Sequence, residues 1–282
     1  MGSQKVAILV DSGTDLPADF VGKGRVFTAP VQYPPKIREP AVPGAASGPF
    51  LHKPERESPP APPSASGLFT RLAEEDYEAV LIITSSSRLS SAYDELGILA
   101  SREKRLRCRM VDTKSVSVGA GLQAILAARL LDMGEGMDEV LAKLEFTIRS
   151  TKTFLCPVKA CEASKGGFPG GLSIRLGFLR KPWSVLSCNR EGTYEEVAKA
   201  RGNAQALAKA IALMDVAAGQ HPRFAAAASY GSLEAEPMET LLELKEKLPQ
   251  CEEFFFSRVS PLPGFGKEYG AVCLALQPLP PV

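Results

Sequence analysis

Ala79-Val80-Leu81-Ile82-Ile83-Thr84-Ser85-Ser86-Ser87-Arg88-Leu89-Ser90-Ser91-Ala92-Tyr93 is the stretch that decides the fold. Its first five residues form an apolar run of the length and composition of a strand buried on both faces, as parallel strands are. The segment from Ala92 to Arg102 reads as a helix. A row of hydroxyls and backbone N–H groups therefore sits where a strand ends and a helix begins. Open α/β sheets bind ligands at that place. Helix N-termini favour anions, because their first N–H groups lack intrahelical partners and the dipole is positive there. Neutral hydroxyls with one Arg suit a weak anion such as a carboxylate rather than a triphosphate. The simpler reading is that Ser87 or Ser90 only caps the helix.

Working outward, Val6 to Val10 reads as a buried strand, and Asp11-Ser12-Gly13-Thr14-Asp15-Leu16-Pro17 as a turn into a short helix. Asp11 stands at a ligand-side position of such folds, or caps the next turn. Helices are predicted over 68–75, 120–133 and 137–150, with a strand over 108–111 and a turn over 112–119. The alternation implies βαβ units and a parallel sheet. In the second half, 183–188 reads as a strand and 189–192 as a turn. Residues 194–214 read as largely helical, followed by strands over 224–229 and 253–259 around a helix over 234–247. A last strand is expected over 269–276. Lys165 to Gly171 is glycine-rich, yet it matches neither a phosphate loop nor a dinucleotide fingerprint. Residues 31–66 are crowded with proline, and so long a structureless loop is unusual inside a compact domain.

The chain has 282 residues, enough for one large or two ordinary domains. A net charge of +1 argues against a general nucleic-acid surface or a polybasic membrane anchor. No apolar run is long enough to span a bilayer, and residues 1–5 carry no secretory h-region. The six cysteines are scattered without a C-x-x-C pair, which argues against a disulfide framework or a zinc site. The expected location is cytoplasmic. Two histidines, His52 and His221, leave little material for a triad or a metal cage.

Several stretches together resemble the DegV family of bacterial fatty-acid-binding proteins. Val10 to Pro17 resembles its opening, and Ser86 to Tyr93 its S-S-x-L-S-G-T-Y motif. Val111 to Gly121 resembles its D-[ST]-x-x-x-S-x-G-x-G segment. Lys165-Gly166-Gly167, Lys181-Pro182 and Ala198 to Gly202 resemble the later K-G-G-R, K-P and K-x-R-G elements, in order. The resemblance implies two α/β domains, the first with a mainly parallel sheet, and a ligand tunnel between them. The division falls near residue 155, with 1–155 carrying the serine loop and 156–282 covering an acyl chain. One long-chain fatty acid lies in the tunnel, its carboxylate on Ser90, with Ser86, Ser87, Ser91, Ala92 and Ser12 around it. The implied partner is a fatty-acid kinase to which the carrier presents the acid. No cofactor, no metal and no catalytic residue is implied.

The chain also departs from that pattern. The threonine of the family's T-S-Q-P-S segment has no counterpart in 57–66. Phe168 stands in place of the arginine of K-G-G-R, Ser91-Ala92 in place of G-T, and 263–270 lack the family histidine. Either the chain is a divergent member, or the expressed protein differs from this sequence over 31–66 and parts of 154–183. The intact flanks favour the second, and peptides matching 34–66 as written would exclude it. The competing function is a serine-dependent acyl hydrolase, for which a G-x-S-x-G elbow and a histidine base are missing.

Overall fold

The computed structural model describes residues 5–17, 19–20, 24–30, 64–157, 183–231, 236–260, 262 and 271–280. The expectations for Pro34 to Pro63 and for Lys165 to Gly171 lie outside them.

Strand β3 (Ala79–Thr84) is the centre of the first sheet and is buried along its whole length. Strand β1 (Val6–Asp11) pairs with it in parallel, Val6 opposite Ala79 and Val10 opposite Ile83. On the far side of β3 lies β4 (Arg107–Asp112), with Thr84 opposite Asp112. A short strand not read from the sequence, β2 (Val26–Ala29), completes the order β2-β1-β3-β4, all parallel. Alternate residues of these strands feed two different layers. Ala7, Leu9, Val80 and Ile82 pack under helices α1 (Ala65–Glu74) and α2 (Ala92–Arg102). Val6, Ile8, Val10, Leu81 and Ile83 pack under α3 (Ser117–Asp132) and α4 (Met137–Ser150).

Six strands form the second sheet, in the order β7-β6-β5-β10-β8-β9. They are β5 (Lys152–Pro157), β6 (Ser184–Cys188), β7 (Tyr194–Lys199), β8 (Phe224–Tyr230), β9 (Cys251–Arg258) and β10 (Ala271–Pro278). All neighbours are antiparallel except β8 and β9. One face packs against α5 (Asn203–Ala218) and α6 (Glu236–Glu246) through Ala206, Ala210, Met214, Leu241 and Leu244. The opposite face, with Leu155, Leu186, Ala227 and Cys273, meets Leu89, Val116, Val118 and Leu122 from the first half. Helix α3 lies between the sheets, which is why it is buried on nearly every side.

Two expectations need correction. Residues 194–199 are a strand, not the start of a helix. Tyr-Glu-Glu-Val-Ala-Lys has helix-forming residues, but pairing with β6 from Cys188–Tyr194 to Ser184–Lys199 overrides that propensity. Helix α3 begins at Ser117, so it takes in part of the expected turn. Gly119 and Gly121, which look like breakers, are needed for close packing: a Cβ at 121 would stand 2.3 Å from the Asp15 carbonyl oxygen.

Candidate functional site

Three loops meet at the carboxyl end of the parallel sheet: residues 84–91 after β3, 112–117 after β4, and the turn 189–193 between β6 and β7. The first is knitted to the second by its backbone, since the Ser86 N–H donates to the Ser115 carbonyl at 2.7 Å. Asp112 then holds Ser87 twice: the backbone N–H donates to Oδ1 at 3.2 Å and the hydroxyl to Oδ2. The same carboxylate accepts from the Lys114 backbone N–H at 3.0 Å and from its ammonium at 2.7 Å. Burial opposes ionisation of Asp112, but the bonds from Lys114 and Ser87 outweigh it and hold its pKa below the usual carboxylate range.

Ser86 reaches the third loop. Its hydroxyl donates to the Gly192 carbonyl at 2.7 Å, and Gly192 has φ of +83°. Ser85 instead faces Asp11, donating through its backbone N–H at 3.2 Å and its hydroxyl at 3.3 Å, while Thr14 donates to the same Oδ1. Ser90 is buried, and its Oγ accepts the Ala92 N–H at 3.0 Å at the start of α2. Ser91 stands at the N-cap but donates to Glu95 at 2.6 Å rather than bonding the helix backbone. The local cap is therefore Ser90. Ala92 is fully buried beneath this turn, and Ser12 lies half-buried in the turn after β1. So Ser86, Ser87, Ser90, Ser91 and Ala92 form one connected turn, and Ser12 belongs to the adjoining loop. Asp94 and Glu95 in the first turn of α2 already complement its dipole.

A second buried cluster lies deeper, between the sheets. Asp15 accepts from the Ser117 hydroxyl and, at 2.9 Å, from the Ser260 N–H; a hydrogen bond of 2.8 Å joins the Ser117 and Ser229 hydroxyls. Burial raises the Asp15 pKa to about 6 against these bonds. Ser117 has φ of +54° and Lys114 of +53°, so two non-glycine residues of one loop occupy left-handed backbone. Such strain persists only where surrounding contacts enforce it. The second Asp of the Asp-Ser-Gly-Thr-Asp turn was the only sequence signal for this cluster. Its partners at 229 and 260 are too distant in sequence to be inferred.

Beside these loops opens a cleft of about 1370 Å³, which includes Asp112, Lys114, Ser115, Thr153 and Cys188. None of the serines singled out from sequence lines it. Its walls are mixed, with Arg109, Arg149, Glu145 and Glu191 beside Met110, Val111, Leu141 and Ile148. Leu89, from the serine loop, belongs to a buried apolar cluster with Leu155, Leu186, Val116 and Tyr194. Among the described residues no group of side chains has the makings of a metal site. No described helix is long and apolar enough to cross a membrane.

The family model described as "Uncharacterised protein, DegV family" matches residues 52–278. A DegV domain-containing protein of Clostridium acetobutylicum is 24% identical over 281 residues, 97% of this chain and 99% of the relative. A Thermotoga maritima protein named fatty acid-binding protein is 31% identical over 156 residues, 50% of this chain and 52% of its own. The solved structure of a DegV family protein from Thermus thermophilus, described as fatty acid binding, matches with a TM-score of 0.72 at 25% identity, covering 98% of this chain and 100% of that one.

Proposed function

The chain belongs to the DegV family, and from that premise we propose that it carries one long-chain fatty acid. The carboxylate is held at the serine loop, and the acyl chain runs from Leu89 into the apolar layer between the sheets. One observation carries this reading: a buried hydroxyl turn at the carboxyl end of a parallel sheet directly abuts an apolar cluster drawn from both halves of the chain. The names of the Thermotoga and Thermus relatives support the ligand class.

Ser86 donates to the Gly192 carbonyl and Ser87 to the Asp112 carboxylate within the protein. These two shape the loop, with Ser12 and Ser91 at its margins. Ser90 and the N–H groups following Ala92 meet the carboxylate. A sixteen-carbon acid would bury roughly 15 carbons at about 0.8 kcal/mol each before binding costs, so the tail supplies affinity and the hydroxyl turn orientation. The division near residue 155 belongs to this reading, with the head group on 1–155 and most of the tail against 156–282. So does presentation of the acid to a separate kinase, which leaves this chain a carrier without catalytic residues of its own.

Displacement of a fluorescent fatty acid from delipidated protein tests the proposal. Palmitate and oleate should compete well, and the matching alcohols at least about tenfold less well, given about 1.5–3 kcal/mol for a charge-assisted bond. Equal competition by acids and alcohols would overturn the assignment of the serine loop as the head-group site.

A further inference from the structure

The two halves of the chain are joined by polar bonds on opposite flanks of one apolar layer. On the β7 side, the Ser86 hydroxyl donates to the Gly192 carbonyl in the turn between β6 and β7. Strand β9 is the other edge of that sheet. There the turn after β1 is held by Ser257 and Ser260 of the second half, and by Ser229 through Ser117. The Ser260 N–H donates to Asp15 at 2.9 Å, and the Ser257 hydroxyl to the Leu16 carbonyl at 2.8 Å. Ser117 donates to Asp15 and is hydrogen-bonded to Ser229. Phe20 meets Phe255 edge-on at 5.8 Å, and Arg129 of α3 stands over the Phe255 ring and pairs with Glu253. In the layer, Leu89, Val116, Val118 and Leu122 meet Leu155, Leu186, Ala227 and Cys273.

The two flanks differ in chemistry. The Ser86–Gly192 bond is neutral, whereas the acceptor on the β9 side is a carboxyl group only 3% exposed. Around it lie Ser117 of α3, Ser229 of β8, Cys273 of β10 and Ser260 after β9, with Asp11 on its own turn. Asp11 carries charge of the same sign, and Cys273 is the other titratable group beside it. Arg129 is engaged by Glu253, and Arg258, which follows Ser257, is exposed. A carboxylate buried without a counter-ion is costly, and burial is the main reason Asp15 keeps its proton up to about pH 6. When that flank parts, water reaches the carboxyl and ionisation costs little more than in an unfolded chain. Loss of the proton therefore favours the parted form over the closed one.

We propose that the β9 flank is a pH-sensitive latch: with its proton, Asp15 holds the turn after β1 against the second half, and without it the flank parts beside the apolar layer. One consequence rests on the carrier reading. A fatty acid held in the layer exchanges faster at neutral pH than in mild acid.

Amide hydrogen exchange of the ligand-free full chain at pH 5 and 7 tests the latch. It is read at the Ser260 N–H and at Ile82 in β3, with each rate divided by its intrinsic value. Ser260 protection should fall by about tenfold from pH 5 to pH 7, for a carboxyl that moves between about 6 when closed and 3.8 when open. It should stay below that of Ile82, as local opening requires. Asp15→Asn has no proton to lose and should show no fall. Ser260 protection that is flat with pH in the wild type, equal to that of Ile82, or falling equally in Asp15→Asn would each overturn the latch. The wild-type arm decides it even where the variant does not fold. With a fluorescent fatty acid bound, the ratio of wild-type to Asp15→Asn release rates should rise about tenfold over the same range. A flat ratio would overturn the exchange route, and a chain that takes up no fatty acid would overturn the carrier reading while the Ser260 result still decides the latch.

Discussion

The Ser86 hydroxyl donates to the Gly192 carbonyl at 2.7 Å, joining two loops 106 residues apart in the chain. This bond ties the serine turn of the parallel sheet to the β6–β7 turn of the antiparallel one. It also explains why residue 192 is glycine. A Cβ there would lie 2.3 Å from the Ser86 Oγ, and the backbone sits at φ of +83°.

Gly192→Ala is expected to destabilise the protein by about 2 kcal/mol or more, from left-handed backbone and the clash together. Ser86→Ala leaves the buried carbonyl without its donor and should cost about 1–3 kcal/mol. Urea denaturation of both variants checks this; midpoints equal to wild type would refute the role of the bond.

Asp15 makes stability fall with rising pH across one window. The folded protein keeps this proton up to about pH 6, whereas the ordinary carboxyl releases it near 3.8. Native protein therefore binds more protons than unfolded chain between those values, and the group's contribution weakens as pH rises through them. The swing is about 3 kcal/mol at roughly 1.4 kcal/mol per pH unit. The stability of Asp15→Asn minus that of wild type should thus increase by that order between pH 4 and 7. A difference that stays flat with pH contradicts the burial of an ionisable Asp15.

Asp112 behaves in the opposite sense. Its depressed pKa means that stabilisation is present above the ordinary carboxylate range and is lost as pH falls through the folded value. Asp112→Asn should therefore cost most near neutral pH and least in acid, by about 1–3 kcal/mol at pH 7, since the Lys114 ammonium and the Ser87 groups lose a charged acceptor. Urea midpoints at two pH values decide it, and a cost that grows toward acid would reverse the assignment.

Burial pushes the Cys156 and Cys188 thiols to about 12 and those of Cys108 and Cys251 to about 11. Thiolate is the reactive form, so these four should resist iodoacetamide at pH 8 in the native state and react on unfolding. Rapid native labelling of Cys156 or Cys188, read by peptide mass spectrometry, would contradict their environment.

Much of the first half was legible because its strands are continuous apolar runs. Ala79 to Ile83 and Val6 to Val10 can be buried on both faces only in a covered parallel sheet, and the helix over Ala92–Arg102 starts and ends where expected. The second half was less so. Strand β7 is built from residues that favour helices, and β5 lies too close behind α4 to announce itself. At the site, the serine turn was visible as composition, but the distinct uses of Ser86, Ser87 and Ser90 depend on Gly192, Asp112 and Ala92. Of these only the last is near in sequence.

Native mass spectrometry of the freshly purified protein against its denatured mass tests the carrier reading most directly. The account predicts an added mass equal to one long-chain fatty acid, lost on denaturation and regained when delipidated protein is incubated with palmitate or oleate. A native mass equal to the bare chain, unchanged after that incubation, would contradict it.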